Sequence, residues 1–143
     1  MIAPDCNLLI YANQLSSPFH AGSRRWLENL LSGAEPVGLP IPSIQAFLRF
    51  MTNSKLHPKP ATFHQASEIV DAWLDLPHVQ ILYPGDRHWG LLKELGVATR
   101  ASGKFITDVA IAATALEYGA VVHTNDRDFA RFPNLRWHNP LNA

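Results

Sequence analysis

The sequence is short of cysteine, of net charge and of long apolar runs, and each shortage excludes something. Its one cysteine, Cys6, rules out an internal disulfide framework and suits a reducing compartment. No apolar run approaches the roughly 20 residues of a membrane span. Met1-Ile2-Ala3-Pro4-Asp5 has no basic region ahead of an apolar core, so no signal peptide is expected. The expectation is a cytoplasmic protein without a membrane partner. Twelve Lys and Arg balance twelve Asp and Glu. That balance argues against a protein that lives on nonspecific attraction to nucleic acid, so any RNA contact must use a local patch. Seven His show no His-x₃-His or similar spacing, so zinc is not expected. There is no internal repeat, low-complexity tract or long linker.

What is present is a globular chain: 143 residues, 47% hydrophobic, with four Trp. That length predicts one domain, residues 1–143, burying roughly two-thirds of its unfolded surface. The apolar spacing predicts alternating strands and helices. Ile2 and Ala3 begin a strand that ends near Pro4-Asp5. Asn7 is a candidate cap for a short helix through Ala12. Phe19–Leu31 reads as an amphipathic helix. Pro36–Pro40 reads as a strand, and Ser43 as the cap of a helix over Ile44–Thr52. Thr62-Phe63-His64-Gln65 reads as a capping box opening a helix to about Asp75, with Phe63 inward. Val79–Tyr83 is a strand, Asp86–Leu95 a helix with Trp89 on its apolar face, and residues 96–106 a loop. Thr107 caps a helix over Asp108–Tyr118 that Gly119 ends. Ala120–His123 is a strand, Phe129–Phe132 a helical turn, and Leu135–His138 an edge strand. Such alternation argues for a parallel sheet covered by helices on both faces.

Three acids fall at strand-to-helix junctions: Asp5, Asp108 and Asp126, with Asp128 two residues on. Carboxylates gathered at one rim repel each other unless a cation sits among them. Mg²⁺ and Mn²⁺ are hard ions that take carboxylate oxygens and keep waters. Such an ion suits in-line phosphodiester hydrolysis. The competing reading gives each Asp local work. Asp108 complements a helix dipole, Asp126 and Asp128 form turns, and Asp5 sits beside a cap.

Met1-Ile2-Ala3-Pro4-Asp5-Cys6-Asn7-Leu8-Leu9-Ile10-Tyr11-Ala12 resembles the opening of PIN-domain ribonucleases, the VapC toxins of bacterial toxin–antitoxin pairs. Thr107-Asp108-Val109-Ala110-Ile111-Ala112-Ala113 is similar to the family's third acidic motif. His123-Thr124-Asn125-Asp126-Arg127-Asp128-Phe129 resembles its Thr-x-Asp-x-Asp-Phe motif. Phe47-Leu48-Arg49 with Thr52-Asn53, and Arg131-Phe132-Pro133 with Leu135-Arg136-Trp137, extend the likeness nearly end to end. Each motif alone is weak, and the ordered set is specific. The resemblance implies a PIN-like three-layer α/β fold with a mostly parallel central sheet of 4–5 strands. It implies Mg²⁺ or Mn²⁺ held by Asp5, Asp108 and Asp126, with Asn7, Thr124 and Asp128 in support. RNA would be the substrate, a VapB-type antitoxin the inhibitor, and a homodimer the assembly.

Two departures stand out. Family members commonly carry a Glu in the helix after the second strand, and Ala46 occupies that position here. Gln45 beside it lacks the charge and faces about 100° away round the helix. Cys6 replaces a Thr, with a weaker hydrogen-bonding group. Lys104, Arg49, Arg100 and Arg127 are candidates to line an RNA phosphate path, Lys104 foremost. The Trp residues are expected in the core, as is the stripe Trp26, Leu27, Leu30 and Leu31. In VapC relatives early helices form a groove for an antitoxin segment, so part of that stripe could serve such a partner. His123 is expected in the core or at the rim.

The expected function is metal-dependent RNA hydrolysis. The alternative is a catalytically weakened PIN module that acts by binding RNA or antitoxin. An Asp-based phosphatase or receiver domain fits less well, because Asp5-Cys6-Asn7 lacks a close second acid and no Lys follows Lys104.

Overall fold

Alternating apolar segments assemble into a five-stranded, all-parallel sheet with helices packed against it. The computed structural model describes residues 1–142. The strands are β1 (Ile2–Pro4), β2 (Val37–Pro40), β3 (Val79–Leu82), β4 (Val121–His123) and β5 (Trp137–His138). The helices are α1 (Cys6–Ala12), α2 (His20–Ser32), α3 (Ile41–Met51), α4 (Phe63–Leu74), α5 (His88–Thr99) and α6 (Phe105–Tyr118). A 3₁₀ turn, Arg127–Arg131, follows β4.

Strand order is β3-β2-β1-β4-β5. Ile2 pairs with Val37 on one side and Val121 on the other. The chain builds β1, β2 and β3 outward in one direction, then returns to place β4 and β5 beyond β1. The order therefore reverses between β1 and β4, where parallel α/β sheets open a ligand crevice at their carboxyl ends.

Side chains alternate across the strands. Ile2, Val37, Leu39 and Val79 enter a core with Leu9, Leu27, Phe47 and Trp73. Ala3, Leu82 and Val122 enter a second core with Leu95, Val109, Ile111 and Ala112. Gly38 is the position that requires no side chain, because a Cβ there would lie 2.5 Å from Leu82 Cδ1.

The expected three-layer α/β fold and its parallel sheet of 4–5 strands are the observed ones. Several boundaries differ. Asp5, not Asn7, caps α1, because its carboxylate accepts the Cys6 N–H. Ser43 lies inside α3, which starts at Ile41 with Pro42 in its first turn, where a missing N–H costs nothing. Thr107 lies inside α6, which starts at Phe105 after turn bonds from Phe105 N–H to Ser102 O and Ile106 N–H to Gly103 O. Helix α5 runs from His88 to Thr99 rather than Asp86–Leu95, so the expected 96–106 loop shrinks to residues 100–104. Phe63 and Trp89 are exposed rather than inward, since each falls in the first turn of its helix, ahead of the packed face. The capping box at Thr62 and Gln65 is as expected. No helix among the described residues is long and apolar enough to cross a membrane.

Candidate active site

Asp5 leaves the end of β1, the central strand, and is only 2% exposed. Its backbone N–H donates to His123 O at 2.9 Å, which ties it to the end of β4. Its carboxylate accepts the Cys6 N–H at 2.7 Å and the Thr124 hydroxyl at 2.7 Å, one on each oxygen. The Thr124 hydroxyl, fully buried, is the hub. It donates to Asp5 and accepts from Asn7 Nδ2 at 3.3 Å and from the Asp126 N–H at 2.9 Å. Asn7 Oδ1 in turn faces the Asn125 N–H at 3.5 Å. Asp126 Oδ1 accepts the Asp128 N–H at 2.8 Å, which fixes the turn after β4. Asp5, Asn7, Thr124 and Asp126 are thus one network across the switch point.

Asp108 reaches the same rim from the first turn of α6. Its carboxyl is pushed up to about 7, first by partial burial and then by repulsion from Asp5, Asp126 and Asp128. Asp5 is also raised, because burial outweighs the hydrogen bonds from Thr124 and Cys6. The repulsion shows that the four acids share one field. Burial pushes the Cys6 thiol up as well, with Asp5 and Asp108 adding to it, so this cysteine is an inert thiol at neutral pH.

Of the cations, Lys104 is the exposed residue before α6, one turn ahead of Asp108. Arg127 is exposed between Asp126 and Asp128. Arg100 is also exposed, in left-handed backbone after α5. Arg49 is not brought to the rim: it lies in the last turn of α3, which runs away from it. The α3 face near the rim carries Ser43, Ala46 and exposed Gln45, and no acid. Among the described residues, no three His, Cys, Asp or Glu side chains are grouped tightly enough to hold an ion by themselves.

Two supports escaped the sequence. The Ser43 hydroxyl donates to Pro4 O at 2.8 Å, pinning the start of α3 beside Asp5. The Ser was visible and was read as a cap. Arg131 donates to Thr99 O at 2.6 Å and lies 4.4 Å over the Phe105 ring, clamping the loop into α6. No spacing rule links residues so far apart. His123 is a rim residue: its Nδ1 accepts Trp26 Nε1–H at 3.0 Å. Burial and His138 lower it to about 4, so it is neutral.

This constellation, with its order along the chain, matches a known family. A PIN-domain profile matches residues 2–135. The chain belongs to the PIN-domain family, in its VapC branch. It is 39% identical to a VapC ribonuclease of Mycobacterium bovis over 143 residues, covering 100% of this chain and 97% of the relative. It is 39% identical to ribonuclease VapC33 of Mycobacterium tuberculosis over 145 residues, covering 99% of each. In fold it resembles the DNA-bound VapBC2 of Rickettsia felis, with a TM-score of 0.69 at 20% identity over 97% of this chain and 98% of that one. It also resembles VapC20 of Mycobacterium tuberculosis, a toxin that cleaves the sarcin-ricin loop, with a TM-score of 0.68 at 14% identity over 95% and 99%.

Proposed function

We propose that this chain is an endoribonuclease toxin that hydrolyses RNA phosphodiester bonds with Mg²⁺ or Mn²⁺. A VapB-type antitoxin inhibits it, and both act in the cytoplasm. The observation that carries this reading is the network of Asp5, Thr124, Asn7 and Asp126 across the strand-order switch, with Asp108 facing it. Carboxylate oxygens crowded to the point of mutual repulsion are the donor set that a hard divalent cation relieves.

The residues fit such an ion. Asp5 is locked in place and keeps a free lone pair on each oxygen. Asp108 accepts no hydrogen bond among the described residues, and Asp126 has one oxygen uncommitted. Asp5, Asp108 and Asp126 would hold the ion, and waters would complete its shell. When bound, the ion acidifies a water and offsets charge on the phosphate. Without it, Asp108 holds a proton near neutrality and so limits the repulsion within the rim. Lys104 and Arg127 would bind phosphates on either side of the scissile bond, and Asn7 and Thr124 keep Asp5 oriented.

The test is RNA cleavage with Mn²⁺, with chelator, and by the Asp108→Asn variant. Cleavage that persists undiminished in chelator or in that variant sinks the reading. The absence of an acid at Ala46 favours a second reading, a weakened nuclease that acts by binding. Ala46→Glu separates the two, because cleavage that appears only in this variant marks the native chain as catalytically weak. Family likeness also points to a homodimer, which light scattering on the purified chain tests.

A further inference from the structure

Residues 36–67 contain no Asp or Glu, in a chain whose formal net charge is zero. They carry Arg49, Lys55 and Lys59. All three are exposed. Arg49 lies in the last turn of α3, and the two lysines lie in the loop between α3 and α4. The ion pairs among the described residues are Arg24–Glu28 and His64–Glu68, so no carboxylate neutralises this group.

The loop is held rigidly. A His57 ring nitrogen hydrogen-bonds Phe50 O at 2.9 Å, and the ring packs edge-on against Phe50. Asn53 Oδ1 accepts the Lys55 N–H, and the Ala61 N–H donates to Met51 O. Charges on a pinned loop lose little freedom when a ligand arrives. Beside the loop lies a cleft of about 740 Å³, lined by Lys59, His57, Asn13, Gln14, Gln65 and Leu15. Its ammonium suits phosphate, its amides suit base edges, and Leu15 is an exposed apolar surface for a base.

We propose that the α3–α4 loop and this cleft form a second RNA contact that grips the substrate outside the scissile bond. The proposal rests on the ribonuclease reading of the rim. Helix α3 starts at that rim, where Ser43 bonds Pro4 O, and its 11 residues carry the chain about 16 Å away. The loop therefore meets RNA that extends well beyond the acids, which would favour folded RNA over short fragments.

The test compares the full chain with its Lys55→Ala/Lys59→Ala variant, after matching their melting curves. Binding of unfractionated tRNA is measured across a salt series in the Asp108→Asn background. Cleavage of tRNA and of a short single-stranded oligoribonucleotide is measured with Asp108 intact. We expect tRNA affinity to fall about tenfold and the salt slope to shrink by about 1.4, the share of two phosphate contacts. We expect oligonucleotide cleavage to be unchanged and the KM for tRNA to rise. Lys55→Glu/Lys59→Glu deepens the loss. Unchanged tRNA affinity and salt slope overturn the proposal while leaving the ribonuclease reading intact. So does a double variant that loses antitoxin binding but keeps tRNA, which makes the surface a protein contact. A chain that cleaves neither RNA defeats the ribonuclease reading instead, whatever the salt series gives.

Discussion

At the β1–α1 junction, Asp5 is 2% exposed and hydrogen-bonded at both oxygens. In the first turn of α6, Asp108 is half-buried and no protein donor among the described residues meets its carboxylate. The two acids belong to one rim but answer to different forces. Asp5 is part of the scaffold: it caps α1 and joins β1 to β4. Asp108 is held against its neighbours' charge by the packing of α6, whose buried Val109, Ile111, Ala112 and Ala113 fix the helix. One acid supports the fold, while the other is tolerated by it and left free for a ligand.

The largest expected effect separates activity from stability. Asp108→Asn should abolish RNA cleavage while leaving the melting temperature unchanged or slightly raised, since it removes repulsion. Calorimetry beside a cleavage assay checks this, and a large fall in Tm would erase the contrast with Asp5. Asp5→Ala should lose cleavage and also about 3 kcal/mol of stability, roughly 10 °C in Tm, through the lost cap and an unpaired hydroxyl.

Thr124→Val tests the hub. It strands Asp5, Asn7 and the Asp126 N–H together, and should cost about 2 kcal/mol in denaturant unfolding. Thr124→Ser should recover most of both stability and cleavage.

The pH dependence sharpens the comparison further. Asp108 titrates near 7 when folded and near 3.8 when unfolded. The folded chain then binds the extra proton, so this contribution to stability is complete below the unfolded value. It is lost as pH rises toward the folded value. Asp108→Asn should flatten that decline between about pH 4 and 7. Mg²⁺ should raise Tm more at pH 8 than at pH 5, in wild type only. The smallest effect belongs to Arg131→Ala, about 1 kcal/mol, with a modest loss of cleavage because the clamp on Phe105 and Thr99 loosens.

How much of this was legible depended on whether a signal was local. The order of elements, the Thr62–Gln65 capping box, the small-residue helix α6 and the acids at strand ends all lie within a few residues. Periodicity and capping chemistry report them directly. Helix starts were less legible, because a Ser or Thr inside the first turn resembles a cap. Ser43 and Thr107 were misread for that reason, and Ser43 spends its hydroxyl on Pro4 instead. Exposure of Trp89 and Phe63 depends on which helix face meets a neighbour, which the chain does not state locally.

The sequence by itself determined the alternating α/β pattern, the near-neutral charge, the acids Asp5, Asp108 and Asp126, and the lack of an acid at Ala46. Only the tertiary structure decided that β4 lies beside β1. That pairing brings Thr124 to Asp5 across 119 positions of chain, turning separate Asp residues into one rim. Helix α3 likewise carries Arg49 off the rim and into the company of Lys55 and Lys59. The physical reason is the same for both. Strand order and helix direction are set by the burial of two cores at once, which is a property of the whole chain and of no single segment.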